Sequence, residues 1–188
     1  MAKSKENNEF WSWIKVIVIA LAIAIIIQSF IFTPMVINGR SMQPNLEHGN
    51  RIVVNKIGKI NRFDIIVFSY NQQREYIKRI IGLPGDKIEY IGDVLYINGE
   101  KHEEPYLDEL KSENRSVLFT SNFKVEEVSK GHVFVLGDNR RNSEDSRHIG
   151  EIKMTDIIGK PSIVYWPIKD LTLLNRDYIL DEKKKAKK

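Results

Sequence analysis

The chain has 188 residues and a net charge of +4, most of it in residues 181–188, where five lysines face two acids. The near-neutral body argues against a nucleic-acid partner. With no cysteine, disulfides and thiolate metal sites are excluded, and the four histidines stand apart without ligand spacing, so neither metal nor cofactor is expected.

Residues 1–9 are polar, their two lysines cancel two glutamates, and regular structure is not expected there. Trp11, Trp13 and Lys15 follow, and every residue from 16 to 27 is apolar. With its flanks the stretch covers residues 14–32, about 19 residues. As a helix that is roughly 28 Å, about one hydrocarbon core. The tryptophans suit an interfacial belt, and Lys15 can reach the headgroups. The exit, Phe32-Thr33-Pro34-Met35, lacks the small-residue pattern of a cleaved leader, so a retained transmembrane anchor is expected. Lys3, Lys5 and Lys15 place residues 1–13 on the cytoplasmic side and the rest outside.

Beyond the anchor the pattern is β. Residues 35–37 and 51–56 are short strand candidates, and residues 64–70 form an apolar run fit for burial on both faces. Residues 76–86 read as a strand ending in the turn Gly82-Leu83-Pro84-Gly85-Asp86. Residues 87–90 and 94–97, separated by Gly92-Asp93 and followed by Asn98-Gly99, suggest small hairpins. Residues 101–130 are charged and weakly periodic and read as an excursion. Residues 132–136 and 162–166 return to strand. No helical periodicity appears outside the anchor, apart from a turn near residues 154–158.

Three polar stretches carry candidate chemistry. The first, Asn38-Gly39-Arg40-Ser41-Met42-Gln43-Pro44-Asn45, follows the anchor directly. The second is the strand of Lys78. Alternation puts Tyr76, Lys78 and Ile80 on one face and Ile77, Arg79 and Ile81 on the other. A lysine covered on such a face loses hydration, which lowers its pKa and makes it a candidate general base. The third, Gly137-Asp138-Asn139-Arg140-Arg141-Asn142-Ser143-Glu144-Asp145-Ser146-Arg147, can position other groups. Each stretch alone also fits an ordinary solvated turn or strand. A serine nucleophile needs a base. His148 with Asp145 offers one, and Lys78 offers the Ser–Lys variant. No Gly-x-Ser-x-Gly elbow is present.

In this order after one anchor, the three stretches resemble type I signal peptidases, membrane-anchored Ser–Lys endopeptidases, in their short Gram-positive form. Ser41-Met42-Gln43-Pro44 matches the family's Ser-Met-x-Pro-Thr pattern, with Asn45 in place of Thr. Residues 78–86 match its Lys-Arg…Gly-x-Pro-Gly-Asp pattern, and residues 137–147 its Gly-Asp-Asn-Arg…Ser-x-Asp-Ser-Arg loop. The resemblance spans residues 14–167 and implies Ser41 as nucleophile, Lys78 as general base and Ser143 as the hydroxyl that orients it. Asp145 with Arg147, and Asp138 with Arg79, would be supporting ion pairs. The Ser41 backbone N–H would serve the oxyanion, since Gly39 stands where some relatives carry a further serine donor. Substrate pockets for small side chains would be built by Ile37, Gly39, Met42, Leu46, Tyr76 and Ile77. The implied substrates are secretory preproteins, cut on the outer membrane face.

The implied fold is mostly β. An antiparallel catalytic domain would comprise residues 33–86 and 131–170, with residues 87–130 as a smaller inserted subdomain and 181–188 as a basic tail. Only eight residues, 33–40, separate anchor from Ser41, a reach of at most about 28 Å. Ser41 is therefore expected near the lipid surface, with an apolar patch near Met35, Met42 and Trp166. Two other readings are a non-catalytic membrane-tethered β module that grips peptides and a self-cleaving or repressor-type Ser–Lys protease.

Overall fold

The computed structural model describes residues 2–71, 73–113 and 117–174, so the basic tail lies outside the described residues. The chain opens with helix α1, Ala2–Phe30. The helix starts well before residue 14, so the expectation of an irregular N-terminus is corrected: once a helix is nucleated, each added residue gains one backbone hydrogen bond. Its C-terminal end is also earlier than expected, because Phe32 already belongs to a strand. The described side chains within α1 cover residues 10–25 and Phe30. Among the described residues no helix is long and apolar enough to cross a membrane.

The rest is a mostly antiparallel β structure in two sheets. The larger uses β1 (Phe32–Val36), β2 (Arg51–Asn55), β3 (Ile65–Tyr70), β4 (Arg74–Gly82), β9 (His132–Leu136), β10 (Ile152–Lys153), β11 (Ile157–Trp166) and β12 (Thr172–Leu173). Its order is β1-β2-β11-β3-β4-β9-β10, with β12 beside β11. The smaller holds β5 (Ile88–Ile91), β6 (Val94–Ile97), β7 (Glu100–His102) and β8 (Phe123–Val125), in the order β7-β6-β5-β8.

β3 shows why its sequence lacks alternation. Ile65 and Val67 enter one core cluster, with Ile37, Met42, Leu46 and Ile52, while Ile66 and Phe68 enter another, with Ile80, Val133 and Val135. Both faces are covered, so both sets of side chains must be apolar. At the tips of the small hairpins Gly92, Asp93, Asn98 and Gly99 all take positive φ, the backbone that suits the strand twist.

Several short elements escape a periodicity reading. β7, β8, β10 and β12 have two or three residues each, and helices α2 (Asp108–Glu113) and α3 (Ser146–Ile149) are under two turns long. A 3-10 turn at Met154–Asp156 falls within the expected 154–158 turn.

Val36 and Trp166 both stand opposite Arg51 in the register of the larger sheet. All three side chains are exposed. Phe32, Ile168, Leu171 and Leu173 are exposed as well. Met42 does not belong to this surface: it is 1% exposed and sits in the core. It packs in the buried cluster that also holds Leu46.

Candidate active site

Residues 37–50 form a loop between β1 and β2. Ile37 N–H donates to Asn50 O and Gly49 N–H to Ile37 O, closing it at its base. Ile37, Met42 and Leu46 plug it into the core. Each such burial is worth about 2 kcal/mol, so the backbone of Ser41, next to Met42, has little freedom. From outside, Asn139 N–H donates to Ser41 O at 2.9 Å and Asn139 Nδ2 to Arg40 O at 3.2 Å. Gly39 N–H donates to His48 Nδ1 at 3.2 Å.

Lys78 lies on β4, opposite Ile66 of β3. Its side chain is buried, and Nζ donates to Ser41 Oγ at 2.7 Å and to Ile77 O at 3.1 Å. The Tyr76 ring lies 5.3 Å from the same nitrogen. Burial lowers the Lys78 pKa from 10.5 to about 8, against the negative charges of Asp145, Asp138 and Glu144, which pull it up. The ammonium is thus held on a serine hydroxyl and poised to lose its proton near neutral pH.

Residues 137–147 supply the surroundings. Gly137 has no room for a side chain: a Cβ there would come within 2.2 Å of Ser143 Oγ and 2.6 Å of Ser41 O. The Ser41 loop and Ser143 therefore meet on either side of one glycine. Among the described residues Ser143 Oγ is buried and makes no well-aligned hydrogen bond, though it lies close enough to Asp145 to help hold that carboxyl's pKa down. The contact to Lys78 that the resemblance implies is not formed, because Nζ is directed at Ser41 and Ile77 O.

Asp145 accepts two bonds at 2.8 Å from Arg147 and one at 3.0 Å from Gly137 N–H. Burial works to raise its pKa, but Arg147 and the Gly137 N–H prevail and hold it below the usual carboxylate value. Asp138 takes both oxygens to Arg79, at 2.8 and 2.6 Å, in a fully buried pair. The two expected ion pairs are thus present as contacts.

His148 is on the edge of this arrangement. Its Nδ1 lies 4.0 Å from Asp145, its side chain is 61% exposed, and no hydrogen bond joins it to Ser41 among the described residues. Among the described residues no cluster of three or more His, Asp or Glu could hold a metal.

A cleft of about 150 Å³ is lined by residues 35–38, Ile52, Val67, Glu75, Tyr76 and Ile77. Of the expected pocket residues it collects Ile37, Tyr76 and Ile77. Met42 and Leu46 pack in the core cluster that includes Ile37, and Gly39, with φ of 113°, lies on the loop with open space around it.

Other residues were given no role of their own in the sequence reading. Glu144 accepts from Tyr76 OH at 2.9 Å. Arg140, inside the third motif, donates to Gly137 O at 3.0 Å and to Glu104 at 2.5 Å. Glu104 lies in the charged excursion, where composition distinguishes no single acid.

A family model described as "Signal peptidase, peptidase S26" matches residues 10–166. Signal peptidase I of Bacillus caldolyticus is 45% identical over 180 residues, covering 90% of this chain and 97% of that protein. Signal peptidase I of Bacillus amyloliquefaciens is 42% identical over 175 residues, covering 89% and 91%. The crystal structure of a signal peptidase I from Enterococcus faecalis V583 aligns with a TM-score of 0.53 and 39% identity, over 55% of this chain and 97% of that one. With most of its length matched by the family model and these relatives, the chain belongs to the signal peptidase family, peptidase S26.

Proposed function

We propose that Ser41 is the nucleophile and Lys78 the general base of this enzyme. The chain is a serine peptidase of the signal peptidase I type, which removes signal peptides from preproteins. The single observation that carries the assignment is the 2.7 Å contact between a buried lysine and the Ser41 hydroxyl.

Neutral Lys78 takes the proton from Ser41 Oγ, which attacks the scissile carbonyl carbon. The oxyanion is met by the Ser41 backbone N–H. Lys78 returns the proton to the leaving amine, and an ester to Ser41 remains. A water then gives its proton to Lys78 and attacks the ester, and Lys78 passes that proton to Ser41 Oγ as the signal peptide leaves. With a pKa of about 8, about a tenth of Lys78 is already neutral at pH 7. Ser143 acts on Lys78 once the amine rotates in the cycle, and the two ion pairs hold the loop in place. The small cleft beside Ile37 and Ile77 suits small side chains before the cut. A module that only gripped peptides would need the cleft but not a buried lysine held against a serine.

The membrane placement belongs to the same proposal. Residues 16–25 of α1 are apolar all round, and Val16, Ile17, Val18, Ile19, Leu21 and Ile25 are each more than half exposed. A helical stretch apolar on every face is suited to lipid. We assign it to a single bilayer span with the N-terminus inside and the two-sheet body outside, residues 87–130 forming the smaller subdomain. The exposed Val36 and Trp166 would then touch the lipid surface.

Cleavage of one preprotein by the detergent-solubilised chain tests the dyad. Ser41→Ala and Lys78→Ala are expected to lose at least about 1000-fold in rate while folding normally. Lys78→Arg should fail equally, because guanidinium does not deprotonate at working pH. Turnover by Lys78→Arg, or loss of activity in a folded His148→Ala, would replace this base assignment.

A further inference from the structure

Three separated chain segments carry the proposed chemistry: the Ser41 loop, strand β4 with Lys78, and residues 137–147. Each is touched by one short piece of the smaller-sheet unit, Glu104-Pro105-Tyr106. The Ser41 loop is reached through Asn45, whose Nδ2 donates to Tyr106 O at 3.3 Å. β4 is reached through Arg79, whose guanidinium lies 4.0 Å over the Tyr106 ring. Residues 137–147 are reached through Arg140, which donates to Glu104 Oε1 at 2.5 Å and, from Nε, to Gly137 O at 3.0 Å. The piece is closed on itself, because Tyr106 OH donates to Glu104 Oε1 at 2.8 Å.

A tyrosine that only filled core would need a partner for its hydroxyl and nothing more. Here the carbonyl, the ring face and the hydroxyl meet three different partners. Glu104 is 5% exposed, and although burial works against its charge, Arg140 holds its pKa below the usual value. Two further donors, Tyr90 OH and Lys111 Nζ, are directed at it. A charge buried this deeply and bonded this fully has one low-energy geometry, so it is a rigid reference point.

We propose that Glu104 and Tyr106 are positioning residues for the Ser41–Lys78 pair, holding its three chain segments in register from the smaller sheet. Neither contributes an atom to the pair. Tyr106 steadies Arg79, the residue next to Lys78, and through Asn45 the loop of Ser41. Glu104 steadies Arg140 and so Gly137, the glycine between Ser41 and Ser143. The proposal rests on the Ser41–Lys78 assignment.

The test uses the full chain in detergent with a short soluble peptide that has a small residue before the cut. Tyr106→Leu removes the ring face under Arg79, and Glu104→Gln removes the charge that holds Arg140. Each is expected to lower kcat about 10- to 100-fold, as loss of an orienting partner does elsewhere. KM should stay within about 2-fold, since the substrate cleft is untouched. Tyr106→Phe keeps the ring and is expected to recover most of the rate lost in Tyr106→Leu. Folded fraction is read in parallel by near-ultraviolet circular dichroism. A kcat at the parent level in folded Tyr106→Leu, or a loss no larger than its unfolded fraction, overturns the proposal. If Tyr106→Leu does not fold, Glu104→Gln decides in the same way. Ser41→Ala, run alongside, separates the two claims. Activity surviving there overturns the dyad and the positioning together. Loss there with unchanged kcat in Tyr106→Leu and Glu104→Gln overturns the positioning alone.

Discussion

Asn45 Nδ2 donates to Asp138 Oδ2 at 2.8 Å, joining the loop of Ser41 to the buried partner of Arg79. The two residues are 93 positions apart. Asn45 is also the one departure from the family's Ser-Met-x-Pro-Thr pattern, and its longer side chain reaches a carboxylate that is already fully buried.

Asn45→Ala removes a donor to a charged acceptor. It should destabilise the fold by about 1.5–3 kcal/mol and lower the rate several-fold. Asn45→Thr, which restores a hydroxyl donor, should recover part of both. Denaturant midpoints and peptide cleavage measure the two effects. A midpoint and rate equal to the parent in Asn45→Ala would mean the contact does not brace the loop.

The pH dependence follows from Lys78. In the proposed mechanism its neutral form is the working one, so kcat/KM should rise with pH, close to tenfold per unit, and level off above about 8. A profile flat between pH 6 and 9, or an acid limb centred near 6.5, would point away from this lysine.

The same shift affects stability. Lys78 has a pKa of about 8 when folded against 10.5 when free, so between these values the unfolded chain binds more protons. Stability therefore rises with pH through that window, and the burial penalty is complete below about 8. Lys78→Met should be inactive yet more stable at pH 7, by up to about 3 kcal/mol. The gain should shrink as pH approaches 10.5. Urea titrations at pH 7 and pH 10 compare the two proteins, and a destabilised Lys78→Met at pH 7 would contradict the penalty.

Ser143→Ala should separate activity from stability. Among the described residues Ser143 Oγ makes no well-aligned hydrogen bond, only a contact that helps hold the Asp145 pKa down, so its removal gives up little in the resting fold. The denaturation midpoint should be unchanged or slightly raised. The rate should fall about 10- to 1000-fold if the hydroxyl orients Lys78 during the cycle. An unchanged rate would remove Ser143 from the mechanism.

A chain beginning near Thr33 tests the membrane role of α1. It should lose far more rate on a membrane-embedded preprotein than on a short soluble peptide, because confinement of both reactants to one plane is lost. It should also need detergent or lipid to stay soluble, given exposed Val36, Trp166, Ile168 and Leu173. Equal losses on both substrates would assign the helix to the fold instead.

The sequence by itself determined what is local. The continuous apolar run of β3, the glycine and asparagine hairpin tips, and the apolar N-terminal helix follow from short-range pattern and turn chemistry. The three motifs also named Ser41, Lys78 and the residues around them, through their resemblance to one family. The tertiary structure alone decided which groups meet. It brought Ser41 and Lys78 to 2.7 Å, buried Ser143 Oγ beside Asp145 rather than on Lys78, and turned Met42 and Leu46 into core. It also brought Glu104 and Tyr106, from a stretch with no readable pattern, against all three segments proposed to carry the chemistry. Contacts between residues tens of positions apart depend on how sheets stack and loops close. A buried carboxylate and a solvated one have the same letter in the sequence.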